Sequence, residues 1–216
     1  MDELSVVQRI VIWILPVIFA ITGHEVAHGW VAKKYGDNTA SQQGRLTLNP
    51  IKHVDFVGTI IIPGLLLISS AGFIFGWAKP VPVDPRYFKN PRRDMAVVAV
   101  AGPVSNLLMA FAWAMIVKLG IVLSMDGVSL PLILAGKAGI QINLVLALIN
   151  LIPIPPLDGS RIVTGFLSNN LAWKYNKLER YGFFILIALL WTGGLSYILG
   201  APMNFMFTVF ASFAGL

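Results

Sequence analysis

Long apolar runs separated by short polar loops dominate this chain. Several of these runs reach the roughly 18–20 residues that span a hydrocarbon core. They lie near residues 9–35, 56–78, 95–120, 138–157, 181–199 and 203–216. The pattern predicts an all-α polytopic membrane protein with about five to six transmembrane or re-entrant helical segments. After the first helix we expect a small irregular or β-like membrane-associated segment. Because no polar stretch is long enough to fold alone, we predict a single membrane-embedded domain over residues 1–216, without an appended soluble module.

Composition supports a bilayer protein and narrows its chemistry. Of the residues, 56% are hydrophobic and 12% are charged, whereas soluble domains average about 45–50% and about 25%. The chain has no cysteine, so a metal site must use histidine and carboxylate ligands. The net charge of +6 resides in short loops, where the positive-inside rule places basic residues, and does not indicate nucleic-acid binding.

One apolar run carries the motif His24-Glu25-Val26-Ala27-His28. In a helix this spacing places the two imidazoles one turn apart on one face, where both can bind one Zn²⁺. Glu25 lies about 100° around the helix from His24, which suits a general base better than a third ligand. A chance match is the alternative. Because an ionisable group at mid-bilayer costs about 2.5–3.5 kcal/mol, such residues are retained for function by default.

A third ligand is needed, because catalytic zinc usually has three protein ligands and one open position. Among the acidic residues, Glu25 and Asp158 lie in or beside an apolar run and away from the basic clusters. Asp158 ends the segment Asn150–Asp158, in which three prolines prevent a continuous helix. Non-helical backbone at membrane depth is tolerated inside protein or beside a water-filled cavity, as a hydrolytic site requires. The alternative is a capping aspartate at a helix end.

Together the two motifs resemble the site-2 protease family of intramembrane zinc metalloproteases (peptidase family M50). That family pairs an H-E-x-x-H helix with a later Asn-x-x-Pro-x-Pro-x-Leu-Asp-Gly segment, as in residues 24–28 and 150–159 here. Residues 44–55, 76–82 and 101–106 are also similar to the family. Members with PDZ or CBS domains are known, and this chain looks like the minimal type.

The resemblance implies a zinc endopeptidase with one Zn²⁺ per chain that cleaves transmembrane segments of other membrane proteins. Family members act in regulated intramembrane proteolysis or in signal-peptide remnant clearance. Asn150 and Asn106 are implied to bind the substrate backbone or the tetrahedral intermediate. For Asn106 an interhelical hydrogen-bonding role is an equal alternative. His53 lies in a polar loop, where we expect an ordinary loop role rather than ligation.

Charge asymmetry bears on topology. If residues 56–78 dip into the membrane and return, thirteen of the sixteen Lys and Arg are cytosolic, and Arg9, Lys118 and Lys137 are outside. A single crossing by this run, with the N-terminus inside, gives ten against six. The first arrangement agrees better with the positive-inside rule. It predicts an external N-terminus, a multi-pass protein of the cell membrane and an active site near the cytosolic face, with a bend at Pro63–Gly64.

Two functions remain open at this point. The same His and Asp side chains could serve a membrane metal-binding or transport protein, although a transporter is expected to show more intramembrane carboxylates and histidines along a path. The placement of Glu25 favours a hydrolase. The partners expected are a transmembrane protein substrate and the lipid bilayer. The sequence leaves the substrate, its scissile bond and the oligomeric state open.

Overall fold

The structure is a computed structural model that describes residues 5–62, 65 and 76–216. Its α-helices with defined bounds are α1 (Val6–Lys34), α2 (Thr39–Gln42), α3 (Pro91–Leu123), α4 (Ser129–Leu151), α5 (Asp158–Phe166), α6 (Asn169–Asn176), α7 (Glu179–Trp191) and α8 (Gly194–Ala214). The described residues contain no β-strand. The segment between α2 and α3 is irregular, as expected, with short helical turns at Pro50–His53, Phe56–Ile61 and Pro85–Tyr87.

Four of these helices, α1, α3, α4 and α8, are long and apolar enough to cross a membrane. Their outer surfaces expose large hydrophobic side chains, such as Val11, Leu108 and Phe205, which are between 63% and 70% exposed. Such surfaces are stable against lipid but not against water. The all-α polytopic membrane fold is therefore confirmed, and the chain is a multi-pass membrane protein.

Local sequence determines where the first helix begins and where it ends. Ser5 caps its start in a capping box with Gln8, which satisfies free backbone donors there. At its end Gly36 has a φ of +106°, a conformation that glycine adopts readily, and this turns the chain away from the helix. Helix α1 is thereby a continuous element that holds the whole H-E-x-x-H motif.

The core lies where α3, α4 and α8 meet. Its buried members are small or branched: Ala110, Ala114, Val117, Ile140, Leu144 and Ala214. Two glycines of α4 bring the helices close, because a Cβ on Gly136 would lie 2.4 Å from Val117 and one on Gly139 would lie 2.2 Å from Trp113. Small residues at helix interfaces are the usual means of close packing in membranes. This core fixes the position of α3, and α3 in turn supports the residues of the functional site.

Two element boundaries differ from the sequence pattern. Helix α4 begins at Ser129 rather than near 138, so Lys137 lies inside a helix and not in a loop. The sequence pattern divides the last two apolar runs near residues 200–202. In the structure the division lies at Gly193, which has a φ of +73° and follows the end of α7. Pro202 lies inside α8, as transmembrane helices tolerate.

The ends of the apolar segment 56–78 meet each other. The Trp77 N–H donates to the Gly58 carbonyl at 3.0 Å, and the Thr59 hydroxyl donates to the Trp77 carbonyl at 2.9 Å. A hydrocarbon core is about 30 Å thick, so a single crossing between residues 58 and 77 is excluded. Both ends lie on one face, as the re-entrant arrangement requires. The bend predicted at Pro63–Gly64 lies outside the described residues.

Polar contacts hold the loops together on that same side of the protein. We call this side the loop face (residues 35–55, 79–90 and 152–178). The buried carboxylate of Asp37 accepts hydrogen bonds from Thr39 and from the Asp84 N–H, the latter at 2.7 Å. The Arg45 guanidinium donates to the carbonyls of Lys79 and Pro80, at 2.8 and 3.2 Å. The Arg92 guanidinium at the start of α3 also donates to the carbonyl of Leu167, which follows α5. The end of α1, the start of α3 and the loop after α5 therefore belong to one face of the protein.

Candidate metal centre

His24 and His28 lie one turn apart on α1, and both are nearly buried, at 7% and 9% exposure. Their Nε2 atoms are 3.0 Å apart. The rings are nearly perpendicular, with centroids 4.6 Å apart. The helix spacing of four residues thus directs both nitrogens toward one point, as the sequence predicted.

Asp158 reaches that point from another part of the fold. It is the first residue of α5, and its Oδ2 lies 3.1 Å from His24 Nε2 and 3.2 Å from His28 Nε2. The loop 152–157 carries it there. Gly159 is needed next to it, because a Cβ at that position would lie 2.3 and 2.5 Å from the carbonyl oxygens of Leu151 and Ile152.

The other ring nitrogens set the state of both histidines. His24 Nδ1 lies 2.6 Å from Asn106 Oδ1, and His28 Nδ1 lies 2.8 Å from the Val98 carbonyl oxygen. Both partners are acceptors, so each Nδ1 carries the hydrogen and donates it. Each Nε2 then has a free lone pair directed at the shared point. This is the usual support of metal-binding histidine.

The three donor atoms fit a zinc ion. Ligand atoms around a tetrahedral zinc at about 2.0–2.1 Å lie roughly 3.3 Å apart, and here the separations are 3.0, 3.1 and 3.2 Å. The Asp158 Oδ2 atom is buried, and no described residue satisfies it with a hydrogen bond. Three electron pairs facing one another in a buried place are unfavourable unless a cation lies between them. Two imidazoles and one carboxylate are a donor set typical of zinc hydrolases.

Glu25 lies beside this group rather than within it. Its side chain is half-buried, and its Oε2 accepts a hydrogen bond from the Val81 N–H at 2.7 Å. The contact joins α1 to the irregular segment on the loop face. Glu25 is not among the side chains whose donor atoms lie within 4.8 Å of one another.

The two asparagines singled out in the sequence occupy different places. Asn106 is fully buried and bonds His24 through Oδ1, while its Nδ2 donates to the Ala20 carbonyl and to Asn143 Oδ1, at 3.1 and 2.9 Å. Of its two suggested roles, the structure shows the interhelical one. Asn150 is half-buried and donates to the Leu146 carbonyl of its own helix at 3.0 Å.

Sequence reasoning missed Asn143. This residue of α4 is fully buried, accepts from Asn106 and donates from its Nδ2 to the Gly139 carbonyl at 2.8 Å. The available signal was a polar amide within an otherwise apolar helix. His53 agrees with its expected loop role, since it lies outside the donor group and its Nε2 is 2.9 Å from the Thr47 carbonyl oxygen.

Comparison with known proteins agrees with this geometry. The model of Peptidase family M50 matches residues 127–193, which include Asp158 but not the two histidines. A Bacillus subtilis (strain 168) protein named "Putative zinc metalloprotease YwhC" is 43% identical over 199 residues, which is 88% of this chain and 85% of its own.

Two further relatives carry the same description. Rip2 of Mycolicibacterium smegmatis is 28% identical over 89% of this chain and 71% of its own length. MJ0611 of Methanocaldococcus jannaschii is 29% identical over 82% of this chain and 81% of its own. No solved structure matches the chain significantly. Since the Bacillus subtilis relative is similar over most of both chains, this protein belongs to peptidase family M50.

Proposed function

We propose that this zinc metalloendopeptidase hydrolyses peptide bonds in or near the transmembrane segments of other membrane proteins. The observation that carries the proposal is the convergence of His24, His28 and Asp158 within 3.2 Å of one another in a bundle whose outer surface is apolar. In this proposal those three residues hold the zinc ion and Glu25 is the general base. Regulated intramembrane proteolysis and signal-peptide remnant clearance are both compatible with the chemistry.

Bound zinc supplies Lewis-acid chemistry, which polarises the scissile carbonyl and lowers the pKa of water toward neutrality. The chain supplies the proton transfers. Glu25 takes a proton from the attacking water and later gives it to the leaving nitrogen. One of its oxygens is held by the Val81 N–H, which leaves the other free to accept that proton.

Burial of the site supports cleavage in a water-poor environment. The three donor residues are each between 7% and 9% exposed, and this burial strengthens electrostatic interactions around the reacting carbonyl. A substrate must therefore enter between the helices with its backbone locally unfolded, because helical carbonyls are already hydrogen-bonded. The amide of Asn150 is the remaining candidate for binding that backbone.

Topology follows from charge on the loop face. Thirteen of the sixteen Lys and Arg belong to it or to the helix ends beside it, so we infer that it is cytosolic and that the N-terminus is external. Asp158 begins a helix on this face, and with this orientation that supports an active site near the cytosolic surface. We treat residues 1–216 as one membrane-embedded domain, because α3 packs against α1, α4, α5 and α8 alike.

The test is Glu25→Gln, which keeps the shape of the side chain and removes the base. The variant should bind zinc almost normally and lose at least about a hundredfold in cleavage of a reconstituted transmembrane substrate, because general acid–base catalysis typically contributes that much. Zinc content and cleavage are measured side by side, with the exposed Asp126→Asn as the matched control. Cleavage at the parental rate by Glu25→Gln would refute the mechanism and favour a metal-binding or transport role.

A further inference from the structure

Gly102 of α3 lies directly against both histidines. It is buried, and a Cβ built on it would lie 2.5 Å from His28 Nε2, 2.6 Å from His24 Nε2 and 2.5 Å from His24 Cε1. Real Cβ atoms essentially never approach other heavy atoms closer than 3.0 Å. The space in front of both metal-facing nitrogens is therefore open only because this residue has no side chain.

The imidazoles have no easy way to retreat from a larger residue. His28 is held by the Val98 carbonyl, one turn before Gly102, and His24 is held by Asn106, one turn after it. Residues 98, 102 and 106 form one stripe of α3, since positions four apart share a helix face. The two outer positions of this stripe orient the rings, and the middle position leaves room for what the rings bind.

Other tightly packed glycines of the chain meet different atoms. A Cβ on Gly23 would meet the end of the Met109 side chain, and one on Gly136 would meet Val117. Those glycines permit helix packing. Gly102 differs because the atoms it faces are the nitrogens that point at the shared site.

We propose that Gly102 is a positioning residue of the metal centre, which keeps the space facing both Nε2 atoms free so that a zinc ion can bind there. The inference rests on the proposed zinc ligands. It adds the requirement that residue 102 has no side chain, which the identity of the ligands does not imply. It requires that even the smallest side chain at residue 102 weakens zinc binding, although no ligand is altered.

The first experiment measures metal binding by Gly102→Ala. Alanine is the better helix former, so a loss does not arise from helix propensity. We expect zinc affinity to fall by about ten- to a hundredfold, as for altered neighbours of metal ligands. Zinc content and the visible absorption of the cobalt-substituted protein report this without any activity assay. Gly136→Ala is the matched control, because its Cβ meets Val117 at a similar 2.4 Å and should leave zinc affinity unchanged.

The second experiment uses metal-free protein and tests whether the new methyl group contacts the imidazoles of His24 and His28. In metal-free protein, Gly102→Ala should lower the Tm, and this loss should shrink in a His24→Ala/His28→Ala background, where the imidazoles are absent. An equal loss of Tm in both backgrounds would overturn the inference, as would parental zinc affinity in Gly102→Ala. Zinc binding and cleavage that survive His24→Ala would instead refute the proposed ligands, so the two failures are distinguishable.

Discussion

Asn106 is bonded through both polar atoms of its side chain, and its partners lie on two other helices. Its Oδ1 accepts from His24, and its Nδ2 donates to Ala20 on α1 and to Asn143 on α4. A fully buried amide with all of these partners has a defined orientation. Asn106 therefore links the position of α4 to the orientation of His24, which faces the metal site.

Replacing Asn106 with alanine should weaken the metal site without altering a ligand. The change leaves His24 Nδ1 and Asn143 Oδ1 buried without a partner, at about 1–3 kcal/mol each, and frees the ring to turn. We expect zinc affinity to fall by about ten- to a hundredfold, measured by competition with a chelator. Ser105→Ala is the control, because within the described part of the chain that hydroxyl bonds the Gly102 carbonyl of its own helix and no group of the metal site. Unchanged affinity in Asn106→Ala would show that the contact does not orient His24.

Asn143→Ala should have a smaller effect in the same direction. It removes one bond to Asn106 but leaves the contact between Asn106 and His24 in place. Because the two amides form one network, their effects on Tm and zinc affinity should be non-additive in the double variant. Strict additivity in a double-mutant cycle would mean that Asn143 supports the fold independently of the metal centre.

At this scale the sequence predicted that His24, His28 and Asp158 converge, but not the groups that hold these side chains in place. His24, Glu25 and His28 share one helical turn, so their relation follows from helix geometry alone. The Val81 N–H that holds Glu25 is 56 positions away, and the Val98 carbonyl that holds His28 is 70 positions away. Almost every residue type offers the same backbone N–H and carbonyl groups, so no sequence pattern could have indicated either of these two partners.

Among the elements, α7 and the proline loop that precedes Asp158 are in unusually close contact. A Cβ on Gly182 of α7 would lie 1.5 Å from the Pro155 carbonyl oxygen. The hydroxyl of Tyr175 also donates to the Pro153 carbonyl at 2.6 Å. The position of Asp158 therefore depends on elements that follow it in the chain.

Gly182→Ala should displace this loop and with it Asp158. Overpacking at a rigid backbone contact typically costs about 1–3 kcal/mol, so we expect a lower Tm together with reduced zinc retention. Gly200→Ala is the control. Apart from its own stretch of helix, no atom of the described residues lies within 4 Å of the added Cβ, and the helix gains up to about 1 kcal/mol in propensity. A lower Tm with full zinc retention would mean that α7 stabilises the bundle but does not position Asp158.

The four long apolar helices of the described residues could be located from hydropathy, whereas helix ends were less predictable. Residues 200–202 contain glycine and proline and read as a break, yet α8 continues through them and the break falls at Gly193. Backbone conformation, not composition, decides between two such sites. The apolar run beginning at 138 places Lys137 in a loop, whereas it lies within α4. A long side chain inside a membrane helix can carry its charge toward the interface while its stem stays apolar.

For the whole molecule, the main prediction concerns which loops share a side of the membrane. The chain has no cysteine, so single cysteines at the exposed positions Gln43, Lys89 and Asp126 report unambiguously. An impermeant thiol reagent should label the first two from the cytosolic side and the third from outside. Labelling of positions 43 and 89 from opposite sides would contradict the meeting of residues 58 and 77, and labelling of all three from reversed sides would contradict only the inferred orientation.

The distance along the chain between His28 and Asp158 has a consequence for biosynthesis. Synthesis proceeds at about 5–20 residues per second, so roughly 130 residues and many seconds separate the pair His24 and His28 from Asp158. During that interval a new α1 lies in the membrane with two histidines and a glutamate, before α3 has delivered Val98 and Asn106 to orient them. If His24, His28 and Asp158 hold the zinc ion, as proposed, complete coordination must wait until Asp158 at the start of α5 has been synthesised.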